Sequence, residues 1–150
     1  MPDECVVDTS CLIVLDKIEL LYLLCQLYKR VYIPEGVATE FGKAPLVSCA
    51  ETISVRSRLI AILTEELNLG LGEAETIAYS YEHGIRAVID DAKARRVAKR
   101  MAIKVTGTIG LLMRAEKEGI VASSYDIALK LREVGFYLSD SVLEGLRKRL

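Results

Sequence analysis

The sequence predicts an α/β fold: an open parallel sheet of about five strands with helices on both faces, in three layers. Two observations predict it. Short runs rich in Val and Ile recur along the chain with little polar alternation, as strands buried on both faces require. Helical patterns separate these runs, and alternating strands and helices build parallel sheets through crossover connections. The 150 residues, 51% of them hydrophobic, suffice for one domain with a sizeable core. No Pro/Gly/Ser-rich linker and no internal repeat divides them, so residues 1–150 read as a single domain.

The elements follow in order. The strand candidates are Glu4–Val7, Arg30–Ile33, a weaker Ile53–Val55, Ala87–Ile89 and Ile103–Val105. Leu20, Leu23, Leu24 and Leu27 form an apolar stripe at helical spacing. Pro34 reads as a first-turn residue of the next helix. A helix from Glu73 to Glu82 follows the Gly70-Leu71-Gly72 break and ends at His83-Gly84. Ala92–Met101 is helical, with Ala94, Val97, Ala98 and Met101 inward. Gly107-Thr108-Ile109-Gly110 reads as a tight turn into a helix from Leu111 to Glu118. Two more helices are expected near Ser124–Glu133 and Ser139–Arg149, the latter capped by Ser139. These C-terminal helices, about 123–150, pack on the core or at a dimer interface.

Composition excludes several classes. A membrane span needs about 20 unbroken apolar residues, and the nearest candidate, Leu12 to Leu27, is interrupted by Asp16, Lys17 and Glu19. No basic segment precedes an apolar one at the N-terminus, so a cytoplasmic location is the expectation. Cys5, Cys11, Cys25 and Cys49 form no C-x-x-C pair, and His83 is the only histidine. A structural zinc is therefore not expected. Each cysteine sits among apolar neighbours and reads as a small buried hydrophobe rather than half of a disulfide. Tyr22, Tyr28 and Tyr32 likewise read as core.

The informative feature is acidic. Asp8 closes the run Cys5-Val6-Val7, and Asp90 and Asp91 close Ala87-Val88-Ile89. Glu40 lies in the segment after Val31-Tyr32-Ile33, and Glu73 opens a helix. Ligands of open α/β sheets bind beyond the carboxyl ends of the strands. Taken singly, each acid has a plainer reading. Asp8 would cap the helix begun by Thr9-Ser10, Glu40 would lie on a solvated face, and Glu73 would complement a helix dipole. Adjacent Asp90 and Asp91 resist that reading, since only one of them can cap. Together, carboxylates converging in one cleft repel and raise each other's pKa values. A divalent cation offsets that repulsion, and oxygen ligands without histidine select Mg²⁺ or Mn²⁺. Such a site most naturally serves phosphodiester hydrolysis.

Four segments carry a resemblance. V-V-D-T-S-C-L (Val6–Leu12) and V-Y-I-P-E-G-V-A-T-E-F (Val31–Phe41) look like the start of a PIN domain. G-E-A-E-T-I-A-Y-S-Y-E-H-G (Gly72–Gly84) and A-V-I-D-D (Ala87–Asp91) are similar to that family's third and fourth acidic segments. The D-D…G-T-x-G pattern of Asp90–Gly110 resembles an uncharacterised prokaryotic branch. The resemblance implies a PIN-like three-layer fold and a metal-dependent ribonuclease, often the toxin of a toxin–antitoxin pair and often dimeric. It implies Asp8, Glu40, Glu73 and Asp91 as the four acids, with Thr9 or Ser10 as a supporting hydroxyl. Glu75 competes with Glu73, and Asp90 can share or take the fourth role as a fifth ligand.

Net charge is −1, so no global field attracts nucleic acid. The helix Lys93–Arg100 nevertheless holds five basic residues directly after the fourth acid. Arg95 and Arg96 are the candidates for RNA phosphate contacts, against a solvated helix face as the plainer reading. The expected partners are RNA, a small antitoxin protein and a second copy of the chain; an apolar helix face left exposed would favour self-association. The alternative function is a catalytically weak or inactive PIN-like module that binds RNA or protein. A phosphotransfer protein fits poorly: Ser10 stands where a dehalogenase-like phosphatase needs a second Asp, and the acid pair follows the wrong strand for a receiver domain.

Overall fold

The computed structural model describes residues 4–43 and 47–148. Five parallel strands, β1 (Glu4–Val7), β2 (Arg30–Pro34), β3 (Ala50–Ile53), β4 (Arg86–Val88) and β5 (Val105–Thr106), form one sheet in the order β3-β2-β1-β4-β5. The chain starts at the centre, winds outward through β2 to β3, and returns through β4 to β5. The reversal lies between β1 and β4, where Val6 pairs with Ala87 and Val7 with Val88. A crevice therefore opens beyond the carboxyl ends of those two strands.

Strand alternation sorts the core into two layers. Cys5, Val7, Val31, Ile33 and Val88 face one side. They bury Leu12 and Leu15 of α1 (Thr9–Lys17), Leu24 and Leu27 of α2 (Leu23–Leu27), Val37 of α3 (Glu35–Phe41) and Leu111 of α7 (Thr108–Lys117). Val6, Tyr32, Ala87 and Ile89 face the other side. They meet Ala74 and Ile77 of α5 (Leu71–His83) and Ala94 and Ala98 of α6 (Ala92–Arg100). Leu63 and Leu69 complete that layer from the segment holding α4 (Leu59–Ala61) and the π-helical turn Ile62–Glu66. The apolar runs lack polar alternation because both sheet faces are covered. The C-terminal α8 (Ser124–Glu133) and α9 (Asp140–Lys148) stack beyond α7. Leu131 of α8 packs with Leu112 of α7, while Ala128, Leu143 and Leu146 join α8 to α9. Ser139 accepts the Val142 N–H, as a cap should.

Several expectations need correcting. The third strand lies at Ala50–Ile53, before the expected Ile53–Val55, because its register is set by pairing with Val31–Pro34. The fifth strand begins at Val105. Ile103 instead donates its N–H to Ala98 O while Ala102 donates to Lys99 O with φ +61°, so these residues close α6 as a Schellman motif. Pro34 ends β2 and flanks α3 as its N-cap rather than entering its first turn. α7 starts at Thr108, so Thr108, Ile109 and Gly110 are helical rather than a turn. Tyr28 and Tyr32 are buried, but Tyr22 is 51% exposed. Cys25 and Cys49 form a disulfide, which joins α2 to the segment entering β3 and overturns their reading as free thiols. Only tertiary folding brings them together, since they lie 24 residues apart. Cys5 and Cys11 are free and buried. Among the described residues no helix is long and apolar enough to cross a membrane. Arg149, the expected end of the last helix, lies outside the described residues.

Candidate active site

Asp8 follows β1, and its N–H donates to Val88 O at 3.0 Å, which extends the central pairing by one residue. It occupies the N-cap position of α1 with extended backbone, yet its side chain makes no capping bond. The plain reading of Asp8 as a cap therefore fails. Its residue is only 4% exposed. Burial raises the carboxyl to about 7, the charges of Glu73, Glu40 and Asp90 push the same way, and the Thr9 amide opposes them. Beside it, the hydroxyl oxygen of Thr9 is buried with no hydrogen-bond partner among the described residues.

Asp90 and Asp91 follow β4 and take different roles. Asp90 is clamped by one residue: its Oδ1 accepts the Thr108 N–H at 2.7 Å and its Oδ2 the Thr108 hydroxyl at 2.6 Å. Asp91 is the N-cap of α6, with Oδ2 accepting the Ala94 N–H at 2.9 Å. Gly107 makes the clamp possible, because a β-carbon there would meet Asp90 Oδ1 at 2.8 Å and also collide with Arg95.

Glu40 and Glu73 arrive from two packed helices. Glu73 Oε1 accepts the Gly70 N–H at 3.1 Å, which is half of a capping box; the other half would need a side chain that Gly70 lacks. Burial raises the Glu73 carboxyl, Asp91 and Glu40 add to this, and the Gly70 amide and Lys93 oppose it. Glu40 Oε1 accepts the Gly72 N–H at 3.0 Å. A β-carbon on Gly72 would strike that oxygen, so glycine is required for the approach. Glu75 points elsewhere, with Oε1 accepting the Gly36 N–H at 2.7 Å.

The result is one open cleft of about 560 Å³, lined by Asp8, Glu40, Glu73, Asp90 and Asp91 with Thr9, Ser10, Ile13 and Gly70. Five of the six candidate acids, all but Glu75, and both candidate hydroxyls thus line one cleft. Arg95 and Arg96 are not among its walls. Arg95 donates from Nη1 to Ile89 O at 3.2 Å and lines the neighbouring groove. Arg96 is exposed on α6.

A family model for a PIN domain (DUF3368) matches residues 4–150. The chain belongs to the PIN-domain family. No curated protein matches it.

PIN domains have a nuclease-type fold and typically use divalent metals. The donors of this PIN domain fit a hard cation in kind. They are carboxylate and hydroxyl oxygens, one of them the orphaned Thr9 oxygen. Two carboxyls, Asp8 and Glu73, are raised by burial and by neighbouring negative charge that a cation would offset. The fit is loose in geometry. Among the described residues no three His, Cys, Asp or Glu side chains are already grouped to hold an ion, and four of the acids accept backbone N–H groups. That arrangement suits an ion that keeps several waters and uses one or two carboxylates better than one that needs a closed protein cage. No cysteine or histidine lines the cleft: Cys25 and Cys49 are bonded to each other, and His83 stacks on Tyr79 with its Nδ1 3.0 Å from Tyr79 O.

Sequence reasoning missed Thr108 and the contacts of Gly72 and Gly107. The signal for Thr108 is a hydroxyl at the start of a helix that follows the last strand. Its partner, Asp90, lies 18 residues away, so pairing the two needed the β4–β5 neighbourhood.

Proposed function

We propose that this PIN domain is an endoribonuclease that hydrolyses RNA phosphodiester bonds with Mg²⁺ or Mn²⁺. The observation that carries the reading is Asp8. It is a buried carboxyl at the end of the central strand with no capping bond, facing four further acids across one cleft. A carboxylate so placed costs stability unless a cation or proton joins it. Asp8, Glu40, Glu73 and Asp91 would hold the ion, with Asp90 as a fifth ligand. The chemistry such an ion supplies when bound is Lewis acidity at the phosphate and a lowered pKa for water.

The chain's own groups do the rest. Without a cation the Asp8 carboxyl lies near 7, so binding the ion would displace a proton from it at neutral pH. Ser10 presents an exposed hydroxyl that can donate to phosphate oxygens, while the Thr9 hydroxyl lies buried beside Asp8. Thr108 holds Asp90 in one orientation. Arg95 and Arg96 meet phosphates of the strand beyond the cleft. The test is a labelled single-stranded RNA incubated with Mn²⁺ and either the unaltered chain or Asp8→Asn. Loss of cleavage in the variant supports the reading, and equal cleavage by both sinks it. We extend the reading to the toxin of a toxin–antitoxin pair: a small protein partner would cover the cleft, and its co-purification would abolish cleavage. A homodimer belongs to the same reading and is tested by light scattering.

A second reading, a PIN-like module that binds RNA or protein without useful catalysis, draws on the engaged carboxylates. Asp90 and Asp91 both serve as hydrogen-bond acceptors within the fold. Calorimetry decides between them: no Mn²⁺ binding at millimolar concentration favours the module.

A further inference from the structure

A second groove opens beside the carboxylate cleft, on the β5 side, and shares Asp90 with it. Its walls include Arg95, Ile109, Phe136, Tyr137 and Leu138, and its volume is about 360 Å³. That is near the lower end of the roughly 300–1,000 Å³ of small-ligand sites, a size suited to one nucleotide. The wall is built by the turn between α8 and α9. Gly135 turns the chain with φ +100°. Phe136 packs against the Leu23, Leu112 and Leu131 cluster, and Leu138 packs against Ala128, Leu143 and Leu146. Tyr137 lies between two anchored neighbours and is 86% exposed. An aromatic ring held in water by a fixed backbone is a ready stacking surface. Across the groove stands Arg95, whose guanidinium is fastened to Ile89 O.

We infer that this groove is the subsite for one unpaired base of the RNA strand bound at the carboxylate cleft, with Tyr137 stacking on the base and Arg95 meeting its phosphate. The inference rests on the nuclease reading for the identity of the strand. Three features favour this occupant. The groove and the cleft share Asp90 as a wall. It joins an apolar and aromatic wall to a cation, which matches a base joined to a phosphate. The flanking helix α6 also exposes Lys93, Arg96, Lys99 and Arg100, which complement a polyanion. A duplex would keep its bases stacked on one another and leave the ring unused, so the substrate class is single-stranded RNA.

The test is anisotropy of a short labelled oligoribonucleotide, with the full-length chain in an Asp8→Asn background so that nothing is cut. Tyr137→Ala weakens binding about tenfold, as loss of one stacked base does, while Tyr137→Phe stays within about twofold because the ring remains. An abasic oligomer and a duplex of the same sequence bind the Tyr137 and Tyr137→Ala chains alike. Unchanged affinity for the single strand on Tyr137→Ala overturns the subsite, as does equal loss with the abasic oligomer, or absence of RNA binding altogether. A shift from dimer to monomer in light scattering, with affinity for RNA unchanged, assigns the groove to a second copy and also overturns it. Cleavage by the unaltered chain is scored separately. Tyr137-dependent binding without cleavage removes the nuclease reading and keeps the subsite, and cleavage with Tyr137-independent binding does the reverse.

Discussion

Glu75 of α5 accepts the Gly36 N–H of α3 at 2.7 Å, and it does so across a separation of 39 residues. Glu40 of α3 returns the favour by accepting the Gly72 N–H of α5 at 3.0 Å. Gly36 and Gly72 are each the second residue of their helix, so each N–H is one of the donors a helix start leaves without an internal partner. The two helices therefore cap each other with glutamates. Glu40 is thus held at the cleft by an interaction that also fastens the helix carrying Glu73.

The Glu75 contact should matter to stability rather than to chemistry. Glu75→Ala leaves the Gly36 N–H without its partner and lowers unfolding free energy by about 1–3 kcal/mol, measured by urea denaturation. Gly36→Ala also destabilises, since its β-carbon would strike the Glu75 carboxylate. Combined with Glu75→Ala, it should cost less than the sum of the two, because the struck atom is gone. Additive losses would contradict the shared contact.

Asp8 should give the cation-free protein a characteristic pH dependence. Its carboxyl rises from an ordinary 3.8 to about 7 on folding, so the folded chain holds the proton more tightly than the unfolded one. Its contribution to stability is then fully present below about pH 4, declines as pH rises toward 7, and levels off above that. Asp8→Asn removes this slope. In chelator, the variant should be the more stable chain at pH 8, by on the order of 4 kcal/mol, and the gain should shrink as pH falls toward 4. A gain that is independent of pH would mean that Asp8 does not titrate in this range.

Thr108 is a positioning residue for Asp90. Thr108→Val keeps the shape but removes the hydroxyl that Asp90 Oδ2 accepts at 2.6 Å. Loss of such an orienting partner typically costs about 10–100-fold in metal affinity or activity, and Mn²⁺ titration should show a weaker apparent affinity. Thr108→Ser restores the hydroxyl and should recover most of the loss. Equal behaviour of the Val and Ser variants would reduce Thr108 to a packing role.

The Cys25–Cys49 bond closes a loop that contains all of β2 and α3. Its reduction, or Cys25→Ser with Cys49→Ser, should lower stability by about 3 kcal/mol, read as a fall in Tm that adding reductant to the double variant does not deepen. An unchanged Tm in reductant would show that the bond contributes nothing under those conditions.

The strands and most helices were legible because their signals are local. Val6, Val31 and Val88 lie in apolar runs too short for helices, and the Ser139 hydroxyl marks the start of the last helix. Two of the ends that failed are those where a distant partner chose the boundary. α7 begins at Thr108, whose amide and hydroxyl both bind Asp90, and β3 takes its register from β2. Tyr22 lies in an apolar run but stands exposed, because it falls in the turn before α2 rather than on the helix itself.

By itself, the sequence determined the parallel α/β class, the rise of five acids as a group, and membership hints enough to connect them with divalent-ion chemistry. Those follow from hydrophobic period and from residue type, which each segment carries alone. The tertiary structure decided what each acid does. Asp90 is clamped by Thr108, Asp91 caps α6, Glu75 is spent on Gly36, and Asp8 is buried with no capping bond. It also decided that Cys25 meets Cys49 and that Tyr137 stands at a groove that shares Asp90 with the acidic cleft. The physical reason is the same throughout: a hydrogen bond, a disulfide or a groove is a relation between residues far apart in the chain, and the winding of the sheet, not the spacing along it, sets which of them become neighbours.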